Sequence, residues 1–169
     1  YGAGGVAVGD GGAMVATSRL LGRPRPGRVA GSDLVPRLLA VGQDMGEFRV
    51  FLLGAAPGVG SQAAEKIRAR WPGVNVCGVL SPRRGFETDA KECDEVVEVV
   101  NAASPHLLVI GLGAPRQEIW LRQYAPRLNG RVAIAAGATI DFLAGAQRRA
   151  PRWIQRLRLE WLFRLATDP

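Results

Sequence analysis

Apolar positions along the chain follow two rhythms. Four stretches are apolar almost without interruption: RVFLLGA (49–55), VNVCGVL (74–80), LLVIGLG (107–113) and RVAIAAGA (131–138). Unbroken runs of this length predict strands covered on both faces, because a strand with one wet face alternates instead. Between them the apolar residues recur at helical spacing. Helices are expected over Ala13–Gly22, closed by Gly22, and from Asp33 to about Gly42, with Ser32 as N-cap. Further helices are expected over Gln62–Arg70, stopped by Pro72 and Gly73, over roughly Asp89–Ala102, over 115–124 (PRQEIWLRQY), and in a basic C-terminal segment. Buried strands alternating with helices predict an α/β fold, a Rossmann-like parallel sheet with helices on both faces, ending in a basic amphipathic helix. A chain of 169 residues suits one such domain over 1–169.

In a doubly wound sheet ligands bind beyond the carboxyl ends of the strands. Three strand ends therefore stand out: Gly54–Gly60, Gly111–Gln117 and Gly137–Asp141. The dinucleotide fingerprint fails in both glycine turns. GAAPGVG (54–60) has its glycines at positions one, five and seven, and GLGAPR has Arg116 where a third glycine would let helix pack on strand. No GxxxxGK[ST] occurs, so a P-loop is excluded, and the plain alternative is that these glycines serve tight turns only.

Side chains for chemistry are few. The single histidine, His106, precedes an apolar run and reads as a loop or capping residue. The sequence carries no nucleophile elbow, no His/Cys cluster for a metal and no D-x-D pair, so no metal and no cofactor are expected. The carboxylates to weigh are Asp10, Asp33, Glu118, Asp141 and Glu160. Asp10 precedes Gly11-Gly12, where a ligand could approach closely. Asp33 suits a helix N-terminus whatever its function, and Glu160 suits an ion-pair ladder with Arg156 and Arg164. Asp141 lies just past a strand-end glycine, a better address for a ligand contact.

Charge changes the picture at one end. The formal net charge is +7, and six arginines lie between Arg148 and Arg164 against one acid, Glu160. Ile154, Leu157, Trp161 and Leu165 share one helical face and Arg148, Arg152, Arg156 and Arg164 another. Such a helix can lie on an anionic membrane or dock on its own domain. A nucleic-acid partner is not expected, because aromatics do not interleave on the basic face. No apolar run approaches the roughly 20 residues of a membrane span. Two cysteines, Cys77 and Cys93, form no disulfide framework, and a reducing cytoplasm is the expected compartment. Without an initiator Met, a processed or partial chain is expected.

The assembled segments resemble the WecG/TagA/CpsF glycosyltransferases. The matching stretches are 10–22 (DGGAMVATSRLLG), 28–34 (RVAGSDL), 51–67, 104–120 (SPHLLVIGLGAPRQEIW) and 136–169, the last with its RAPRW and LEWLFRL blocks. The resemblance implies an inverting, metal-independent transfer of an N-acetylmannosamine-like sugar from a UDP-sugar donor to a polyprenyl-diphosphate-linked sugar acceptor, in cell-wall, teichoic-acid or exopolysaccharide biosynthesis. It implies a peripheral position on the inner face of the cell membrane, and it makes Asp10 the base. Substrate contacts are then expected from Arg28, Gly111, Gly113, Pro115, Gln117, Glu118, Gly137 and Asp141. Gln117 is expected to meet the donor sugar or diphosphate and Glu118 to fix the turn. Arg149, Arg152, Arg156 and Arg164 are expected to face lipid or its diphosphate, and self-association through the last helix is a further expectation. Relatives carry more N-terminal sequence and a basic C-terminal appendage, often show Gly-Gly-x-Phe-Asp where this chain reads 136–141 (AGATID), and often have an aspartate at His106. The alternative from a different class is a non-catalytic binding or scaffold protein of the same fold.

Overall fold

The computed structural model describes residues 31–147. The expected helix at 13–22, the basic C-terminal helix, Asp10, Arg28, Arg149, Arg152, Arg156 and Arg164 lie outside the described residues. In chain order the elements are α1 (Gly31–Gly42), β1 (Phe48–Gly54), α2 (Val59–Arg70), β2 (Val74–Leu80), α3 (Ala90–Ala103), β3 (Leu107–Gly111), α4 (Arg116–Tyr124), β4 (Val132–Ala135) and α5 (Thr139–Ala144). The four strands form one parallel sheet in the order β2-β1-β3-β4. The expectation of a parallel, doubly wound sheet holds.

The two faces of the sheet are read from adjacent residues of the same strand. Val50 and Leu52 of β1 point to one side, where Val35 and Leu39 of α1, Ala63, Ala64 and Ile67 of α2, and Ile140 and Ala144 of α5 close over them. Phe51 and Leu53 point to the other side, against Cys93, Val96, Val97 and Val100 of α3 and Trp120 and Tyr124 of α4. Burial on both sides removes the need for alternation and accounts for the unbroken apolar runs.

Several boundaries differ from expectation for local reasons. Ser32 is not an N-cap: it lies inside α1, whose Gly31 is packed so tightly on Ala136 that an added Cβ would lie 3.1 Å from the Ala136 Cα. Helix α2 starts three residues early, at Val59, because Gly58 takes a left-handed conformation that turns the chain directly into the helix. Asp89 is the N-cap of α3, its Oδ1 accepting from the amides of Lys91 (3.0 Å) and Glu92 (3.3 Å). Strand β3 ends at Gly111 and β4 at Ala135, shorter than the apolar runs that contain them. Residues 139–144, which overlap the expected strand end Gly137–Asp141, form α5, closed by Gly145 in the left-handed region.

Candidate functional site

The strand order reverses between β1 and β3, whose neighbours β2 and β4 lie on opposite sides. A reversal of this kind opens a crevice at the carboxyl ends of the two strands. The residues at that point are Gly54 and Gly111, partners in the β1–β3 register. Ala55 N–H donates to Gly111 O at 3.0 Å, and a Cβ on Gly54 would lie 2.6 Å from that same oxygen. A Cβ on Gly111 would in turn lie 2.9 Å from Gly137 O, past the end of β4. Backbone therefore meets backbone from β1 through β3 to the β4–α5 turn, with no room for a side chain between. The glycines expected at three separate strand ends are parts of one edge.

Gln117 joins this edge from below. It is 4 % exposed, in the first turn of α4, and its Oε1 accepts from Gly137 N at 3.1 Å while its Nε2 donates to Glu118 Oε1 at 2.9 Å. The side chain expected to reach outward thus braces two turns, and its neighbour Glu118 is the exposed one. Thr139 adds a second brace, donating from Oγ1 to Ala136 O at 2.6 Å. Gly113 turns the chain with φ +80°, and Pro115, exposed and joined to Ala114 by a cis peptide, immediately precedes α4. Asp141 lies half-buried in the first turn of α5, and its main-chain oxygen accepts from Ala146 N at 2.9 Å. Gly111, Gly113, Gln117 and Gly137 are thus brought together, with Pro115, Glu118 and Asp141 flanking them.

A further wall was not read from the sequence. The loop from Ser81 to Asp89 leaves the carboxyl end of β2 and is fastened to both glycine turns. Ser81 Oγ donates to Gly54 O at 3.2 Å, and Arg116 bridges from α4 with Nη1 3.3 Å from Glu87 Oε1 and Nη2 2.6 Å from Leu112 O. Phe86, 1 % exposed, anchors the loop beside Trp120. Arg83 pairs with Asp89 at 3.4 Å and with Glu92 at 2.5 Å, and the Glu92 carboxylate pushes its pKa further above the ordinary guanidinium value. The available signal was positional: Arg83-Arg84-Gly85 follow directly on a strand's carboxyl end, at the edge where ligands bind.

His106 lies at the opposite edge. Its Nδ1 accepts from Arg49 N at 3.2 Å, its own amide donates to Arg49 O, and its carbonyl accepts from Val132 N, so it ties β1, β3 and β4 at their amino ends. The loop reading of this residue holds. Among the described residues no group of three or more His, Cys, Asp or Glu side chains is placed to hold a metal ion, and no helix is long and apolar enough to cross a membrane.

Chemically, the edge offers close backbone approach and peptide dipoles with braced turns behind them, an arrangement suited to the phosphate end of a ligand. Comparison with known proteins identifies the family. The sequence profile of the Glycosyl transferase WecG/TagA/CpsF family matches residues 3–169. The chain is 34% identical over 160 residues to an N-acetylglucosaminyldiphosphoundecaprenol N-acetyl-beta-D-mannosaminyltransferase of Bacillus spizizenii, covering 95% of this chain and 60% of that protein. Proteins of the same name from Bacillus subtilis and Staphylococcus aureus are 32% and 29% identical, again over 95% of this chain and 60% and 61% of their own lengths. The chain therefore spans about three fifths of the length of these relatives. With the profile matching nearly every residue, the chain belongs to the WecG/TagA/CpsF family of glycosyl transferases.

Proposed function

We propose that the protein is an inverting, metal-independent glycosyltransferase that moves an N-acetylmannosamine-like sugar from a UDP-sugar to a polyprenyl-diphosphate-linked saccharide. The observation that carries this reading is the shared edge at the switch point, Gly54 to Gly111 to Gly137, within a chain of this family. Residues 1–169 act in it as one glycosyltransferase domain, in cell-wall or extracellular polysaccharide biosynthesis.

The chemistry needs a base and an acceptor for leaving-group charge. A sugar hydroxyl attacks the anomeric carbon as a carboxylate takes its proton, and the bond to the UDP oxygen breaks with inversion. Asp10 is the base in this reading. Without a metal, charge developing on the diphosphate is met by Arg28 and by backbone N–H groups of the Gly111–Pro115 turn. Gln117 contributes indirectly, since its bond to Gly137 N holds the turns together. Glu118, whose Oε1 accepts from Gln117 Nε2, fixes the turn, and Asp141 orients the ligand beside it. Arg149, Arg152, Arg156 and Arg164 meet the anionic membrane surface or the lipid diphosphate, which places the protein peripherally on the membrane.

The test is radiolabelled transfer from a panel of UDP-sugars, UDP-N-acetylmannosamine included, to an N-acetylglucosamine-diphosphate-polyprenol, with and without EDTA. Expected are EDTA-resistant transfer and its loss in Asp10→Asn. An Asp10→Asn protein as active as the parent removes the base assignment. Binding of UDP without transfer to any acceptor supports instead a binding protein of the same fold.

A further inference from the structure

We propose that Arg116 is a positioning residue of this crevice, clamping the β3–α4 turn to the loop after β2 so that the two present a single preformed wall to the diphosphate of a nucleotide. The proposal rests on the UDP-sugar reading for its ligand, but the clamp itself is a feature of the fold.

Arg116 occupies the third-glycine position of a dinucleotide fingerprint, where a small residue would let the helix settle on the strand. Here the side chain folds back over the turn. Nη2 donates to Leu112 O at 2.6 Å, inside the turn, and Nη1 reaches Glu87 Oε1 at 3.3 Å, inside the loop. The two ends differ in burial: the Arg116 side chain is 41 % exposed and the Glu87 side chain 15 % exposed. Glu87 is held in place independently, between the buried Phe86 and Thr88, whose Oγ1 donates to Gly85 O at 2.8 Å. The fixed partner is thus the carboxylate, and the guanidinium transmits that fixity to Leu112 and Gly113. Ser81, bonded to Gly54 O, fastens the same loop to the β1 turn. One short loop therefore sets the spacing of both glycine turns. A direct arginine–phosphate contact is the competing role for this residue, and the sign of the Glu87 effect separates the two. If Arg116 bound phosphate itself, removing its carboxylate partner would free it and leave binding unchanged or tighter. If Arg116 acts through the clamp, removing Glu87 must weaken binding although a carboxylate offers a diphosphate no attraction of its own.

The experiment uses the full 169-residue chain with UDP as probe, by calorimetric titration, together with hydrogen exchange of amides 83–89 and 112–114. Arg116→Met is expected to weaken UDP binding about tenfold, the loss of one charge-assisted hydrogen bond's worth of preorganisation. Glu87→Gln is expected to weaken it in the same direction, Arg116→Lys to restore part of it, and the Arg116→Met, Glu87→Gln double variant to be no worse than Arg116→Met alone. Both single variants are expected to speed exchange in both segments at once, with the amides of β3 unchanged. Tighter or unchanged binding in Glu87→Gln overturns the positioning role, as does faster exchange confined to one segment. Should the parent chain bind no UDP, the nucleotide reading falls, and the clamp then stands or falls on coupled exchange of the two segments.

Discussion

Replacing Gly54 by alanine tests the close backbone approach of β1 and β3 at the candidate site. Its Cβ would sit 2.6 Å from Gly111 O and 2.7 Å from Gly111 C, neither of which can swing aside, and its φ of +104° is one that L residues rarely adopt. Backbone strain of this kind costs about 1–3 kcal/mol, and forcing a methyl into packed surroundings costs about 1–3 kcal/mol more. Alanine also restricts the unfolded chain, which returns about 0.4–1 kcal/mol. The expected loss is about 1–5 kcal/mol, a sizeable share of the roughly 5–15 kcal/mol that holds a domain folded. Two companions separate the contributions. Gly58→Ala carries the strain alone, since φ is +83° but no atom lies within 4 Å of its Cβ. Gly111→Ala carries the crowding alone, against Gly137 O at 2.9 Å and Ile140 Cδ1 at 3.0 Å, without a positive φ. Urea unfolding followed by tryptophan fluorescence, with the buried Trp71 and Trp120 as reporters, measures all three. With a slope of about 2 kcal/mol per molar urea, Gly54→Ala should lower the midpoint by about 0.5–2.5 M. The expected order of damage is Gly54, then Gly111, then Gly58. A Gly54→Ala protein no less stable than Gly58→Ala would refute the close approach of β1 and β3 on which the site rests.

Three further outcomes are expected. Gln117→Leu leaves Gly137 N without its acceptor and should cost about 1–3 kcal/mol in urea unfolding, while Gln117→Glu keeps an acceptor for Gly137 but sets a second carboxylate beside Glu118, so its UDP affinity should fall more than its stability. Thr139→Val removes a 2.6 Å bond to Ala136 O, yet that oxygen still accepts from Thr139 N at 3.1 Å, so the loss should stay near about 1 kcal/mol. Burial pushes the Cys77 thiol above its ordinary value of 9.0, against the opposing pull of Arg49. The folded state thus holds this proton more tightly than the unfolded chain; the resulting stability is full below pH 9 and is lost as pH rises through the folded value. Cys77→Ser should flatten that alkaline decline in unfolding midpoints measured across the window, and a decline of equal steepness in the variant would assign it to other groups.

How far the sequence could be read depended on the length scale of the signal. β2 has the expected ends, 74–80, because Pro72-Gly73 and Ser81-Pro82 punctuate it on both sides. β3 and β4 are shorter than their apolar runs because hydrophobicity does not register a change of backbone direction: Leu112 is as apolar as Ile110 but already lies in the turn. α5 is six residues long, too short to establish a period, though Ile140 and Ala144 one turn apart and Gly145 as a stop were present. The inward turn of Gln117 was legible in principle. Positions 117, 120 and 124 form one stripe of α4, and Trp120 and Tyr124 mark that stripe as the core face. A polar residue on such a stripe must be satisfied from inside the fold, so its partner was to be sought in a neighbouring turn rather than in a ligand.

Arg116 shows why a failed motif can carry more structural information than a partial match. The dinucleotide fingerprint uses its third glycine to seat the helix on the strand, and a large side chain there has two escapes: it can lift the helix, or it can leave the helix–strand interface. Here it leaves, because a carbonyl of its own turn and a carboxylate of the next loop wait above the sheet to receive it. The consequence reaches beyond the turn. A fingerprint glycine leaves the loop after β2 unconnected to the turn after β3, whereas the arginine makes them one surface, with Gly54, Gly111 and Gly137 lying behind it as one continuous backbone edge. A ligand that binds across such a surface must match two loops at once, and any substitution that loosens one loop is felt at the other.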